Sequence, residues 1–288
     1  MKEKILVIGG TGNIGLPLIR SLNKNTDVEI IAGVFHVKQA HEVFQPYPNV
    51  SIKKFDFLDH STFDSALEGV SKVFFIRPPQ LSNPQKDMFP FLKTVKSKGI
   101  KQIVFVSLIG VEKNPLTPHH KIEKMIRELA IPFTFIRPSF FMQNLNTTHR
   151  EDIQKNRELF IPAGNAKTSF IDTRDIGEIA AICLTTTKYL NTELEITGSE
   201  ALTYHQVAQT MTKELGVTIR YSRPSLLKFR KTMINRGITK EYANVMTMLY
   251  FITQLGNAKK VTETAQSVLQ RPATDFKTYV KDYKNYFL

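Results

Sequence analysis

Four glycines fall within Gly9-Gly10-Thr11-Gly12-Asn13-Ile14-Gly15. The apolar run Ile5 to Ile8 stands directly before them, and the helix-forming stretch Leu16 to Leu22 directly after. Strand, tight turn and helix together form the context in which glycines cradle a pyrophosphate. A glycine at 9 or 10 lets the chain turn sharply. Gly12 removes a side chain where backbone must approach phosphate, and Gly15 lets the helix pack closely on the strand. The first free N–H groups and the positive end of that helix then face the anion. The spacing fits G-x-G-x-x-G from Gly10 and G-x-x-G-x-x-G from Gly9. A ligand-free glycine turn is the plainer alternative, and the strand-helix context argues against it.

In such a site the residues just past each later strand are the ones that reach the rest of a dinucleotide. After the second strand, about 20 residues beyond the glycines, an NAD site places an acid for the ribose 2′-hydroxyl. Here the chain reads Val34-Phe35-His36-Val37-Lys38, without an acid. His36 and Lys38 can instead receive a 2′-phosphate, which favours NADP(H) over NAD(H). The alternative for Lys38 is an exposed first-turn helix residue. Asp56 follows the third strand, where it can accept from an adenine amino group with Phe57 stacked nearby, or simply cap a turn. Ile76 and Arg77, before Pro78-Pro79, should pass under a cofactor ribose. Ser107 ends the fifth strand near the expected nicotinamide. Pro138 ends the sixth, and Phe140, Phe141 and Asn144 follow as candidate nicotinamide and substrate neighbours, the two phenylalanines being equally compatible with core. The later stripe Met246, Met248, Tyr250 and Phe251 fits a flat aromatic pocket or, by its helical spacing, packing.

These positions require an alternating fold. Strands are expected at Glu29–Val34, Val50–Phe55, Lys72–Ile76, Gln102–Ser107 and Phe133–Ile136. Between them lie helices at Gln39–Phe44, Ser61–Leu67, Gln85–Lys98 and Pro118–Leu129. After Pro138 come a loop-rich stretch to Pro162, a strand at Thr168–Ile171, a helix from Asp172 or Thr173 to Thr185, and a strand at Leu194–Thr197. The remainder is mainly helical: Thr203 caps a helix to Leu215, a short strand lies at Thr218–Tyr221, and helices lie near Ser225–Asn235, Lys240–Leu255 and Thr274–Tyr286. The expected class is α/β, a Rossmann-type doubly wound parallel sheet with a smaller, mainly helical carboxy-terminal domain. Residues 1–155 form the dinucleotide domain, with 167–198 completing its sheet, and 199–288 form a substrate-side domain.

Composition narrows the function. The chain has 288 residues, a formal charge of +13 and one cysteine, Cys183, in an apolar helical stretch, which suits a reducing cytoplasm. The first apolar run stops after four residues at glycine, too short for a signal peptide, and no run approaches a membrane span. Residues 220–288 hold 13 Lys/Arg against 4 Asp/Glu, while residues 121–219 hold 11 against 12. That excess is spaced along helices without a nucleic-acid-binding signature and reads as a solvated basic face drawing in anions. No nucleic acid, membrane or metal is expected, and a homodimer is compatible with this reading. G-x-S-x-G, H-E-x-x-H and G-K-[ST] are all absent, which argues against hydrolase, metalloprotease and P-loop chemistry.

The chain resembles the NmrA-like group of atypical short-chain dehydrogenase/reductases over nearly its whole length. The resemblance rests on Gly9 to Gly15, Asp56, Phe105-Val106-Ser107, His119 to Lys124 followed by Ile131-Pro132-Phe133-Thr134, Arg137-Pro138 with Asn144, Ile171 to Ile176, and Ile196 to Tyr204. It implies NAD(P) binding, usually NADPH. Bacterial members of the group reduce quinones, azo dyes and triphenylmethane dyes, whereas others are redox sensors that bind dinucleotide without turning it over.

Typical short-chain dehydrogenases pair a serine with Tyr-x-x-x-Lys, the lysine lowering the tyrosine pKa. This chain has no Tyr-x-x-x-Lys. His119 stands where the tyrosine is expected and Glu123 where the lysine is. His119 is either a substitute general acid or a polar helix terminus behind Pro118. An electron-poor acceptor needs less help, because hydride transfer gives a stabilised phenolate that water can protonate. The reading is a reductase of a quinone-like or dye-like aromatic acceptor; the rival is a non-catalytic dinucleotide sensor acting through a protein partner.

Overall fold

The apolar run at the amino terminus becomes a central strand with one neighbour on each side. The computed structural model describes residues 2–288. Its strands are β1 (Glu3–Ile8), β2 (Val28–Val34), β3 (Val50–Lys54), β4 (Lys72–Ile76), β5 (Gln102–Val106), β6 (Phe133–Pro138), β7 (Phe140–Phe141), β8 (Glu158–Leu159), β9 (Lys167–Ile171), β10 (Thr192–Ile196), β11 (Ala201–Thr203) and β12 (Arg220–Tyr221). Its helices are α1 (Gly15–Leu22), α2 (Val37–Phe44), α3 (Ser61–Ala66), α4 (Pro84–Asp87), α5 (Phe89–Ser97), α6 (Pro118–Glu128), α7 (Arg150–Asn156), α8 (Thr173–Thr185), α9 (Tyr204–Leu215), α10 (Leu226–Asn235), α11 (Lys240–Gln254), α12 (Thr264–Leu269), α13 (Phe276–Asp282) and α14 (Lys284–Phe287).

The chain divides into two compact units. The first comprises residues up to Pro138 and Thr173–Glu195. Its seven-stranded sheet has the order β10-β6-β5-β4-β1-β2-β3, with β1 to β6 pairing in parallel. Strand order reverses between β1 and β4, which opens the crevice at their carboxyl ends where doubly wound sheets bind ligands. On one face Leu6, Phe75, Phe105 and Phe135 pack against Phe63 of α3, Phe91 of α5 and Ile122 of α6. On the other face α1 and α8 lie together. Gly177 makes that approach possible, because a Cβ there would stand 2.7 Å from the Leu18 nitrogen.

The second unit comprises Ser139–Asp172 and Ile196–Leu288. It contains the small sheets β11-β9-β7 and β12-β8 and a core that includes Phe160, Phe229, Tyr279 and Phe287. Thr203 caps α9 through a full capping box with Gln206, as its position suggests.

Three expectations change. The strand at 167–171 pairs with β7 and β11 and does not join the large sheet, which β10 alone completes. The helix expected over 85–98 is two, α4 and α5, divided at Met88. Pro90 is the cause: inside a continuous helix it lacks the N–H and collides with the preceding turn, but at the start of α5 it is accommodated. The stretch 139–162, read as loop-rich, holds β7, α7 and β8. No helix among the described residues is long and apolar enough to cross a membrane.

Candidate functional site

At the carboxyl end of β1 the chain turns at Gly9, whose φ of +76° is the left-handed conformation that glycine adopts without strain. The Gly12 N–H closes the turn on the Gly9 carbonyl at 2.9 Å, and the Leu16 N–H donates to Gly12 at 3.1 Å. Gly15 is the tightest point: a Cβ there would lie 2.2 Å from the Gly9 oxygen and 2.8 Å from the Gly10 Cα. At Gly12 a Cβ would meet only the Gly9 oxygen, at 3.2 Å, and the residue faces solvent with Thr11 and Asn13. No side chain caps α1, no acid occupies its first turn, and the N–H groups of Thr11, Asn13 and Ile14 donate to no carbonyl of the described chain. Backbone donors without an acceptor among the described residues, absent Cβ atoms and a helix amino terminus coincide here, which is the donor set and clearance a pyrophosphate requires.

Neighbouring strand ends extend this edge. After β2, Phe35 is 59 % exposed with His36 packed edge-on against it at 4.7 Å. His36 and Lys38 are both exposed at the start of α2, whose first turn carries no acid. After β3, Asp56 turns its carboxylate onto the Leu58 N–H at 2.9 Å, so the turn-capping alternative is realised. Phe57 departs from its expected place. It is 3 % exposed and locked among Phe55, Phe75 and Phe91, so its ring belongs to the core and is not a stacking platform. Ile76, at the end of β4, borders the glycine turn: a Cβ on Gly9 would sit 3.5 Å from it. Arg77 folds its guanidinium over the carbonyls of Pro78, Pro79 and Leu81 at 2.9–3.1 Å, which stiffens the loop beyond.

At the end of β5, Ser107 is 4 % exposed and its hydroxyl has no hydrogen-bond partner among the described residues. Such a group is costly to bury unless something satisfies it. Pro138, at the end of β6, accepts from the Ile109 N–H at 3.2 Å and so fixes the segment that leaves Ser107. His119 stacks on Phe105 at 6.0 Å. Burial, and secondarily the positive charge of Arg77, push its pKa down to about 3. It is therefore a neutral imidazole at physiological pH, able to donate or accept a hydrogen bond but not to supply a proton from an imidazolium. Glu123, one turn along α6, lies in the interior, bound to the buried guanidinium of Arg137 at 3.0 and 2.6 Å. Glu112 and Glu193 flank that guanidinium at 3.6 Å each. The α6 position where a catalytic lysine would stand is thus the anchor of a structural ion pair.

The remaining candidates lie in the second unit. Phe140 and Phe141 form β7 and are half-buried, Phe140 packing toward the core near Tyr250. Asn144, in the short turn after them, is half-buried and accepts the His149 N–H through its carbonyl. The stripe on α11 divides: Met246 and Tyr250 are core, whereas Met248 and Phe251 are exposed, so it is not one surface. Sequence reasoning missed a buried polar group here. The Gln143 amide donates to Asp172 at 2.8 Å, His149 Nε2 lies 2.8 Å from the Tyr250 hydroxyl, and Asp152 takes a bidentate pair from Arg236 at 2.8 and 2.7 Å. Burial lowers the His149 pKa to about 4 despite the nearby Asp152. Gln143, His149 and Asp152 lie in the stretch 139–162, whose sequence carries no periodic pattern to mark them as buried.

The model of the NmrA-like family matches residues 1–280. The chain is 31 % identical over 284 residues to the NAD(P)H azoreductase of Xenophilus azovorans, covering 96 % of each protein. It is 29 % identical over 282 residues to the prestalk A differentiation protein A of Dictyostelium discoideum, covering 98 % of this chain and 92 % of that one. Its fold matches the crystal structure of the NADPH-dependent quinone oxidoreductase of Escherichia coli complexed with NADPH, with a TM-score of 0.85 and 22 % identity over 96 % of this chain and 99 % of that one.

Proposed function

The chain belongs to the NmrA-like family, and from that premise we propose that it is an NADPH-dependent reductase of a quinone-like or dye-like aromatic acceptor. The observation that carries the reading is the edge of the first unit, where a glycine turn with free N–H donors stands beside a second strand end that has basic residues and no acid. Azo-dye and quinone reductases among its relatives support the acceptor class.

In this reading Gly9 to Gly15 hold the pyrophosphate through backbone N–H groups and the α1 terminus. His36 and Lys38 hold the 2′-phosphate, and Ile76 and Arg77 border the ribose. Asp56 acts through its turn, and Ser107 and Pro138 flank the nicotinamide end. The cofactor, when bound, supplies hydride. The chain's own residues orient and exclude water. Neutral His119 and the Ser107 hydroxyl can each donate a hydrogen bond to oxygen that gains charge, and solvent completes protonation. Phe140, Phe141 and Asn144 are proposed as acceptor neighbours.

The second reading, a dinucleotide sensor, is favoured by Glu123: its carboxylate is committed to Arg137, and nothing at the edge replaces the lost tyrosine-lysine chemistry. Absorbance of NADPH with purified protein and a panel of benzoquinones, naphthoquinones and azo or cationic dyes decides between them. Saturable, acceptor-dependent oxidation of NADPH over NADH is expected. Tight NADP binding without oxidation across the panel would establish the sensor.

A further inference from the structure

Helix α11 is apolar on two sides, and only one of them is covered. From Tyr242 to Ala258 the chain has no charged residue. Ala243, Met246, Tyr250 and Thr253 are buried, while Val245, Met248, Leu249, Phe251 and Leu255 stand 46–63 % exposed. A helix apolar all round normally has both sides covered. Helix α10 extends the exposed face. The two helices are joined by four residues and therefore run antiparallel, and Arg230 Nε donates to the Asn244 side chain at 2.6 Å. That register sets Leu227, 80 % exposed and one turn before Arg230, level with Met248. Scattered single apolar residues on a surface are ordinary; a contiguous face of this kind marks an interaction site.

The charge around the face selects its occupant. From Ser222 to Lys260 there are eight Lys/Arg and one acid, Glu241; Arg236 is paired with Asp152, whereas Lys228 and Lys231 are exposed on α10. A second copy would bring the same cationic rim against this one, and the two rims would repel. An occupant must offer apolar depth for the leucines and negative charge for the rim. The boundary between headgroups and acyl chains in an anionic bilayer has both. We propose that the α10–α11 face docks on the surface of an anionic membrane, lying in the interface without crossing it. The 15-residue α11 is about 22 Å long, enough to lie along a headgroup layer. The expectation of no membrane partner rested on the lack of a span, which a surface contact does not need. This docking goes beyond the reductase reading and does not depend on it.

The test is flotation of the full chain with vesicles of phosphatidylcholine alone and of phosphatidylcholine mixed with phosphatidylglycerol. Binding to the anionic vesicles only is expected, weakening as salt is raised. Both the apolar variant L227S/V245S/L255S and the charge variant K228E/K231E should bind about tenfold less or weaker still. These side chains are exposed, and a cooperative thermal melt at the wild-type temperature would certify that each variant is folded. No flotation, or flotation equal in wild type and both variants, overturns the proposal and leaves an acidic protein as the fitting partner. A concentration-dependent dimer that the apolar variant disperses also overturns it, making the face a self-interface. Oxidation of NADPH by a water-soluble benzoquinone, measured on the same samples, reports on the reductase reading separately.

Discussion

Glu123 and Arg137 form a bidentate pair, 3.0 and 2.6 Å long, with both side chains less than a tenth exposed. The pair joins α6 to the end of β6, and Glu112 and Glu193 complete the surroundings of the guanidinium. Removing one member of a buried pair leaves the other charge stranded, at a cost of about 3–5 kcal/mol. Glu123→Gln is therefore expected to lower unfolding stability by about 3 kcal/mol, and Glu123→Lys by more, because it sets a second cation beside Arg137. The double variant H119Y/E123K should not acquire alcohol dehydrogenase activity, although it places the Tyr-x-x-x-Lys spacing of typical short-chain dehydrogenases at these positions. Urea unfolding and an alcohol-oxidation assay check both points.

The two glycines of the turn separate folding from binding. At Gly15 a methyl group would lie 2.2 Å from a backbone oxygen, which must move, so Gly15→Ala should destabilise the unit by about 2 kcal/mol and abolish dinucleotide binding. At Gly12 the only close neighbour is 3.2 Å away, so Gly12→Ala should keep its melting temperature while its Kd for NADPH rises about tenfold or more. Calorimetric titration together with thermal melts resolves the two. Unchanged binding by Gly12→Ala would remove the pyrophosphate from this loop.

Much of this edge was legible because its cues are local. Strand ends, the glycine spacing and the missing acid after Val34 are properties of short stretches, and the glycine turn, His36, Lys38 and Ile76 lie at the strand ends those stretches predict. Phe57 was not legible, since whether a ring after a strand stacks on a ligand or fills a core depends on Phe75 and Phe91, far along the chain. The role of Glu123 was hidden for the same reason: its partner, Arg137, is carried by the next strand. In the second unit α11 misled, because a helix apolar on both sides gives no periodic signal to tell Tyr250 in the core from Phe251 at the surface.

Lys38 supplies the cofactor prediction. Exposed at the start of α2 beside His36, it is the residue proposed to hold the ribose 2′-phosphate. Lys38→Glu should raise KM for NADPH about tenfold, the loss of roughly 1.4 kcal/mol, and leave KM for NADH nearly unchanged. Equal losses for both cofactors would refute a 2′-phosphate contact at this position.

Two histidines make stability depend on pH. Both His119 and His149 have folded-state pKa values lowered, to about 3 and about 4, chiefly by burial. Their unfolded values lie near 6.5. The unfolded chain therefore binds up to about two more protons than the folded one between pH 6 and pH 4. Their contribution to stability is fully present above pH 6.5 and is lost as pH falls through that window. His149→Gln should flatten the slope by about one proton, as read from urea midpoints across the range. Catalytic activity should show no ionisation of His119 between pH 6 and 8, because the ring is already neutral there.

Ser107 offers the sharpest distinction between a structural and a ligand-directed side chain. Its hydroxyl is buried at the end of β5 and makes no hydrogen bond to any of the described residues. A polar atom in that state lowers stability, so deleting it from the free protein costs nothing and can stabilise by about 1 kcal/mol. If the hydroxyl serves the nicotinamide end of the cofactor or the acceptor oxygen, the deletion is felt only with ligand bound. Ser107→Ala is expected to melt at or slightly above the wild-type temperature without ligand. Its gain in melting temperature on adding NADPH should be smaller than wild type's, and kcat/KM for a quinone should fall about tenfold. A variant that melts lower without ligand, yet gains as much from NADPH as wild type, would assign the hydroxyl to the fold and remove Ser107 from the site.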